Sequence, residues 1–242
     1  MTGGSKGLGK AMARALAKAG ASVAISSRHD DELRSAAAEI AQESHARIVP
    51  LAADMTQRGE VKRLAEQAIA ALGNVDILIN NAGGNTPQPI DQITDEVWDY
   101  FVELNLSSCM ALTRALVPQM KDRKWGRVIH ISSIFGLTSI PERSVYSATK
   151  SALLGLMRAS ALDLGKFGIT VNCIAPGPFV TELTLGFFTE EARRKYADRT
   201  ALGRWGEPEE LAGPVILLAS EAGSYITGTC LIVDGGTIAR AL

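Results

Sequence analysis

Short apolar runs alternate with longer stretches carrying helical stripes along the whole chain, and this alternation limits the fold more than any other feature. Residues 23–27, 48–51, 75–79, 127–132, 169–174 and 229–233 read as strands. Helical patterns fall between them at about 30–43, 58–72, 95–120, 144–164 and 208–218. A first helix, striped by Ala11, Met12, Ala15, Leu16 and Ala19, is stopped by Gly20. Strands that alternate with helices must run parallel, with helices covering both faces of the sheet. The expectation is an α/β fold, one doubly wound parallel sheet, forming a single domain over residues 1–242. Ligands of such sheets lie beyond the carboxyl ends of the strands.

Composition removes several function classes. The chain is 46% hydrophobic and 21% charged, as in ordinary globular proteins. Its formal net charge is −1 with no basic run, which argues against nucleic acid or an anionic membrane as partner. No apolar run reaches the ~18 residues of a membrane span, and no cleavable signal follows Met1. Cys109, Cys173 and Cys230 lack metal-ligand spacing, so no metal site is expected. An odd cysteine count without a framework suggests reduced thiols and a cytoplasmic protein.

Two motifs stand at strand ends. Thr2-Gly3-Gly4-Ser5-Lys6-Gly7-Leu8-Gly9 is a glycine-rich turn opening directly into a helix. Such a turn lets backbone approach a pyrophosphate while the helix N-terminus supplies N–H donors, although glycine turns are common. Tyr146 and Lys150 are four residues apart and share a helix face, just after the strand that ends in Ser132-Ser133. An ammonium close to a phenol favours the phenolate and fits it for proton transfer, and a serine hydroxyl nearby can fix the same oxygen. Taken alone, the pair reads equally as a helix face with the lysine stem lying on apolar surface. Gly3 to Gly9, Arg28, Asp54, Asn80 to Gly83, Ser133 and Pro176 to Thr181 all fall at carboxyl ends of strands, and that convergence favours a cofactor site.

With these residues placed, the chain resembles the short-chain dehydrogenase/reductase family along essentially its whole length. The matching features are Thr2-Gly3-x-x-x-Gly7-x-Gly9, Asp54, Asn80-Asn81-Ala82-Gly83, Asn105, Ser133, Tyr146-x-x-x-Lys150 and Pro176-Gly177-x-x-x-Thr181. The resemblance implies a Rossmann-type fold and hydride exchange between a nicotinamide cofactor and a secondary alcohol or ketone. It implies Tyr146 as general acid/base, with Lys150 favouring its phenolate and hydrogen-bonding the nicotinamide ribose. Ser133 would polarise the substrate oxygen, and Asn105 would hold a water in the proton relay. Gly3, Ser5, Gly7 and Leu8 would line the phosphate and ribose site, Asp54 the adenine, and Asn81 and Gly83 the adenine ribose. Pro176, Gly177 and Thr181 would hold the carboxamide and diphosphate. A homotetramer or homodimer is the implied assembly.

Cofactor preference has a physical argument of its own. An NAD site presents a carboxylate at the end of the second strand of the nucleotide fold. Ser27 stands there, followed by Arg28, which suits a 2′-phosphate, and Lys6 adds positive charge on the same side. NADP(H) is therefore favoured over NAD(H), with both cations readable alternatively as solvated surface. The substrate is less constrained. Segments around residues 174–179 and 204–211 look like gluconate and deoxygluconate dehydrogenases, and also like 3-oxoacyl carrier-protein reductases. A sugar acid, a polyol or a 3-oxoacyl thioester is expected, enclosed by residues of about 179–204. Phe179, Leu183, Phe187 and Phe188 are candidate walls, equally readable as packing or oligomer contacts. Arg143 reads as a surface arginine, and His130 as a core residue.

One departure matters. Only Met1 and Thr2 precede the glycine turn, so the strand expected before it is absent from this sequence. Loss of a central strand would leave its neighbours roughly 10 Å apart with unpaired backbone between them. The expectation is a natural product beginning upstream, with Met1 a late or cloned start. Otherwise the sheet must repair itself, or the chain is a catalytically weak nucleotide-fold protein with a mainly associative role.

Overall fold

Strands covered on both faces need apolar side chains in both directions, and the middle of this chain supplies them. The computed structural model describes residues 1–239, the side chains of Leu183 and Phe187 excepted. Along it run α1 (Gly7–Lys18), β1 (Val23–Ser27), α2 (Asp30–Ser44), β2 (Ile48–Ala52) and α3 (Arg58–Leu72). Then come β3 (Ile77–Asn80), α4 (Asp95–Val102), α5 (Ser108–Arg123), β4 (Gly126–Ile131) and α6 (Ser144–Leu164). The chain continues through β5 (Ile169–Pro176), α7 (Glu182–Phe187), α8 (Glu190–Ala197), α9 (Ala212–Ala219) and β6 (Cys230–Val233). Every residue of β4 and β5 is buried. Successive residues feed opposite layers: Val128 and Val171 pack with α3, α5 and α6, while Ile129 and Ile174 pack with α1, α2 and α9.

All strand pairs are parallel, as the alternation required. The sheet is nevertheless divided, with β1 pairing β2 in one ladder and β3, β4, β5 and β6 forming another in that order. Between β1 and β3, Met1 and Thr2 make the connection. Ser26 N–H donates to the Met1 carbonyl at 2.9 Å, and Thr2 N–H donates to the Ile79 carbonyl at 3.1 Å. The Met1 amine donates to the Ala24 carbonyl at 2.9 Å, and burial pushes that amine down to about 5. Beyond this short bridge lies a slot of about 330 Å³ lined by Val23, Ile25, Ile77, Leu112 and Leu116 among others. It lies between β1 and β3, where the two ladders stand apart.

Two boundaries differ from the sequence reading. The helix expected over 95–120 is two helices, α4 and α5, separated by a π-helical turn at Glu103–Ser107. The wider turn carries Asn105 inward, where its side chain holds Gly84 and Thr149. The stretch 208–218 opens as a 3₁₀ turn, Pro208–Leu211, before α9, with proline in the first turn where its missing N–H costs nothing. Residues 179–204, expected to enclose the substrate, hold α7 and α8, capped by Thr181 and Thr189.

Candidate active site

The glycine turn is fixed by the ends of the two strands beside it. The Thr2 hydroxyl accepts from the N–H groups of Asn81 and Ala82 at 3.0 and 2.9 Å. The Asn81 side-chain amide donates to the carbonyls of Thr2 and Gly3 at 2.9 and 3.1 Å, and Gly4 N–H donates to the Ser26 carbonyl at 3.0 Å. Gly9 lies so close to the Gly3 carbonyl that a Cβ there would collide with it. No side chain caps α1, so its first N–H groups keep no side-chain partner, an arrangement that suits an anion. Thr181, which caps α7, sits 3.5 Å from where a Gly7 side chain would begin. Gly177 N–H is tied to the Val233 carbonyl at 2.9 Å, closing the floor behind Pro176. The turn, β3, β5 and α7 thus form one cradle that fits a dinucleotide pyrophosphate.

Charges gather at its β1 end. Lys6 Nζ lies 3.1 Å from Glu32, and Arg28 Nη1 donates to the Tyr100 hydroxyl at 3.0 Å. Ser5 is buried beneath the turn. Asp54 uses one carboxylate oxygen to accept from Thr56 N–H and hydroxyl at 2.9 and 2.8 Å, so it shapes its own turn at the end of β2.

The reactive side chains lie across the cleft, at the end of β4 and the start of α6. Lys150 is buried and donates to the Ile131 carbonyl at 2.8 Å, while its own carbonyl accepts from the Ser132 hydroxyl at 2.9 Å. Its ammonium lies 5.6 Å from the centroid of the half-buried Tyr146 ring, which Phe135 meets edge-on at 6.4 Å. The Ser133 hydroxyl accepts from Phe135 N–H at 3.1 Å, which leaves its proton to point outward. Asn105 accepts from Gly84 N–H at 2.9 Å and donates to the Gly84 carbonyl at 3.0 Å and the Thr149 hydroxyl at 3.1 Å. A side chain on Gly83 would stand 3.2 Å from Lys150 Nζ and 3.1 Å from Asn105 Oδ1, so only glycine keeps this corner open. The ensemble holds a phenol, an ammonium and a serine hydroxyl at one mouth, a set suited to moving a proton at a carbonyl or alcohol oxygen.

Residues 3–237 match the sequence-family model described as enoyl-(acyl carrier protein) reductase. The chain belongs to the short-chain dehydrogenase/reductase family. Among relatives, it is 36% identical over 241 residues to L-rhamnose 1-dehydrogenase (NAD(P)+) of Azotobacter vinelandii, covering 98% of this chain and 94% of that one. It is 33% identical over 236 residues to the 3-oxoacyl acyl-carrier-protein reductase of Chlamydia muridarum, covering 98% and 95%. A structure described as an NAD(P)-dependent gluconate 5-dehydrogenase from Beutenbergia cavernae, with NADP bound at low occupancy, superposes with a TM-score of 0.94. That protein is 34% identical, with 99% of this chain and 95% of the other covered.

In this short-chain dehydrogenase/reductase several residues singled out from sequence are occupied in holding the fold. Asn81 spends its side-chain donors on the glycine turn. Phe179 is buried in the core against Gly206 and is no wall of the cleft. Phe188 packs with Tyr196 and Trp205 at 5.2 and 5.6 Å, fastening the segment after α7. The side chains of Leu183 and Phe187, also candidate walls, lie outside the described residues. Sequence reasoning missed Thr2 as the clip of the turn, Tyr100 as the partner of Arg28, and Glu32. His130 is buried as expected, its Nδ1 3.1 Å from Asn80 Nδ2. Burial, with Lys150 nearby, pushes its pKa down to about 4.

Among the described residues no helix is long and apolar enough to cross a membrane.

Proposed function

We propose that this chain transfers a hydride between NADP(H) and a secondary alcohol or ketone, with Tyr146 as general acid/base. The placement of Lys150 carries the reading, because its buried ammonium is held by the Ile131 carbonyl below the face of Tyr146. That sets a positive charge beside the phenol that would exchange the proton. In the oxidative direction Tyr146 takes the hydroxyl proton of the substrate, and in the reductive direction it returns one. Ser133 donates its free hydrogen to the same substrate oxygen and fixes its position. The nicotinamide, when bound, supplies or accepts the hydride. Gly3, Ser5, Gly7, Leu8, Pro176, Gly177 and Thr181 line its phosphate and carboxamide side. Asp54, Asn81 and Gly83 line the adenosine side, with Arg28 and Lys6 facing a 2′-phosphate. Asn105 holds the corner between Gly84 and Thr149 that a relay water would share, and Gly83 keeps side-chain bulk away from it.

The substrate class in this reading is a sugar acid or polyol, or a 3-oxoacyl thioester. Relatives named for L-rhamnose, gluconate and 3-oxoacyl carrier protein support both branches. The reading includes a cytoplasmic homodimer or homotetramer, checked by light scattering. The deciding experiment titrates the protein with NADPH and with NADH by fluorescence, then screens both substrate branches. Tighter NADPH binding with turnover supports the reading. The divided sheet favours one rival, a nucleotide-fold protein of weak activity, and that rival gains if dinucleotide binds while no substrate in either branch turns over.

A further inference from the structure

The cations beside the ribose end of the cleft already have partners. Arg28 leaves β1 and donates to a neutral group, the Tyr100 hydroxyl, at 3.0 Å. Lys6 instead meets a charge, since its ammonium lies 3.1 Å from the Glu32 carboxylate, with both side chains about half exposed. Glu32 belongs to the first turn of α2 together with Asp30 and Asp31, and Arg34 engages Asp30 at 2.6 Å. A 2′-phosphate requires cations, and the strand-end position of a ribose-binding carboxylate is held here by Ser27. Glu32, in the first turn of α2, opposes a 2′-phosphate by holding Lys6.

We propose that Glu32 sets the cofactor preference of this protein, competing with the 2′-phosphate for Lys6 and so keeping NADH within reach of the site. The proposal rests on the NADP(H) reading above and names the residue that limits it. A 2′-phosphate entering between Lys6 and Arg28 must displace Glu32, then sit close to a like charge. Because the pair is exposed, its influence is modest and screened by salt.

Fluorescence titrations of wild type, Glu32→Gln, Lys6→Met and the double variant with NADPH and with NADH test it. Glu32→Gln is expected to tighten NADPH about three- to fivefold without tightening NADH. That gain should vanish in the Lys6→Met background and shrink in ~0.5 M salt. An equal effect of Glu32→Gln on both dinucleotides, or a gain that survives Lys6→Met, overturns the proposal. A wild type that prefers NADH while Glu32→Gln reverses the order would remove the NADP(H) preference but keep the role of Glu32. Binding of neither dinucleotide to any variant would bring down both readings.

Discussion

A tyrosine is a weak acid in water, and what distinguishes Tyr146 is the company of Lys150 and Ser133 at one strand end. Replacing Tyr146 by Phe removes the proton donor but leaves the ring, the Phe135 contact and the glycine cradle in place. Turnover is expected to fall by about 10²- to 10⁴-fold. The NADPH dissociation constant should stay within about twofold, as fluorescence titration will read. Survival of activity would remove Tyr146 from the mechanism. His130 gives a second prediction at this scale. Its Nδ1 lies 3.1 Å from the Asn80 amide nitrogen, and its Nε2 lacks a partner among the described residues. Its folded pKa is about 4 against an ordinary 6.5, so the unfolded chain binds the extra proton first as pH falls. Stability contributed by the neutral ring is therefore complete above pH ~6.5 and lost as pH drops toward ~4, by about 3 kcal/mol. Denaturant unfolding of wild type and His130→Asn across this range checks it, the variant losing less.

At the scale of elements, the π-helical turn between α4 and α5 does the most to shape the site. It turns Asn105 into the protein interior, where three hydrogen bonds tie α5 to the Gly84 loop and to α6. Asn105→Ala leaves the partly buried Gly84 backbone and the Thr149 hydroxyl without those partners, at a cost of about 2–3 kcal/mol. A thermal melt should show the loss. An unchanged melting temperature would mean that the turn is held by its own backbone. The apolar stripes before and after the turn made this region legible as helix. The inserted residue was not legible, since one extra position hardly disturbs a stripe, and a polar Asn105 inside it was the only mark. Strand ends were easy to read, because β-branched runs stop abruptly at Ser27, Asn80 and Ser133. The Arg28–Tyr100 and Lys6–Glu32 pairs were hidden for a different reason. They join exposed residues from separate elements, and no periodicity marks such a meeting.

For the molecule as a whole, the alternation of elements carried nearly all of the architecture, and the turn with only Met1 and Thr2 in front of it marked where the sheet is divided. What the sequence could not convey was how the sheet accommodates the division. Met1 and Thr2 bridge the carboxyl-terminal parts of β1 and β3, reaching back as far as Ala24, which holds the glycine turn in place and leaves the other end open. The cofactor side of the molecule is thus the better supported side of the gap. The open slot of about 330 Å³ also has a mechanical meaning. Where water is kept out of such an apolar slot, the folded state occupies more volume than its unfolded chain and water together, so compression favours unfolding. Hydrostatic pressure should therefore melt this protein readily at a temperature where heat alone does not. Ala68→Leu, which adds side-chain volume at the slot wall, should raise the midpoint pressure read by intrinsic fluorescence. An unchanged midpoint would mean that solvent already fills the gap, and that the two halves of the sheet face each other across water.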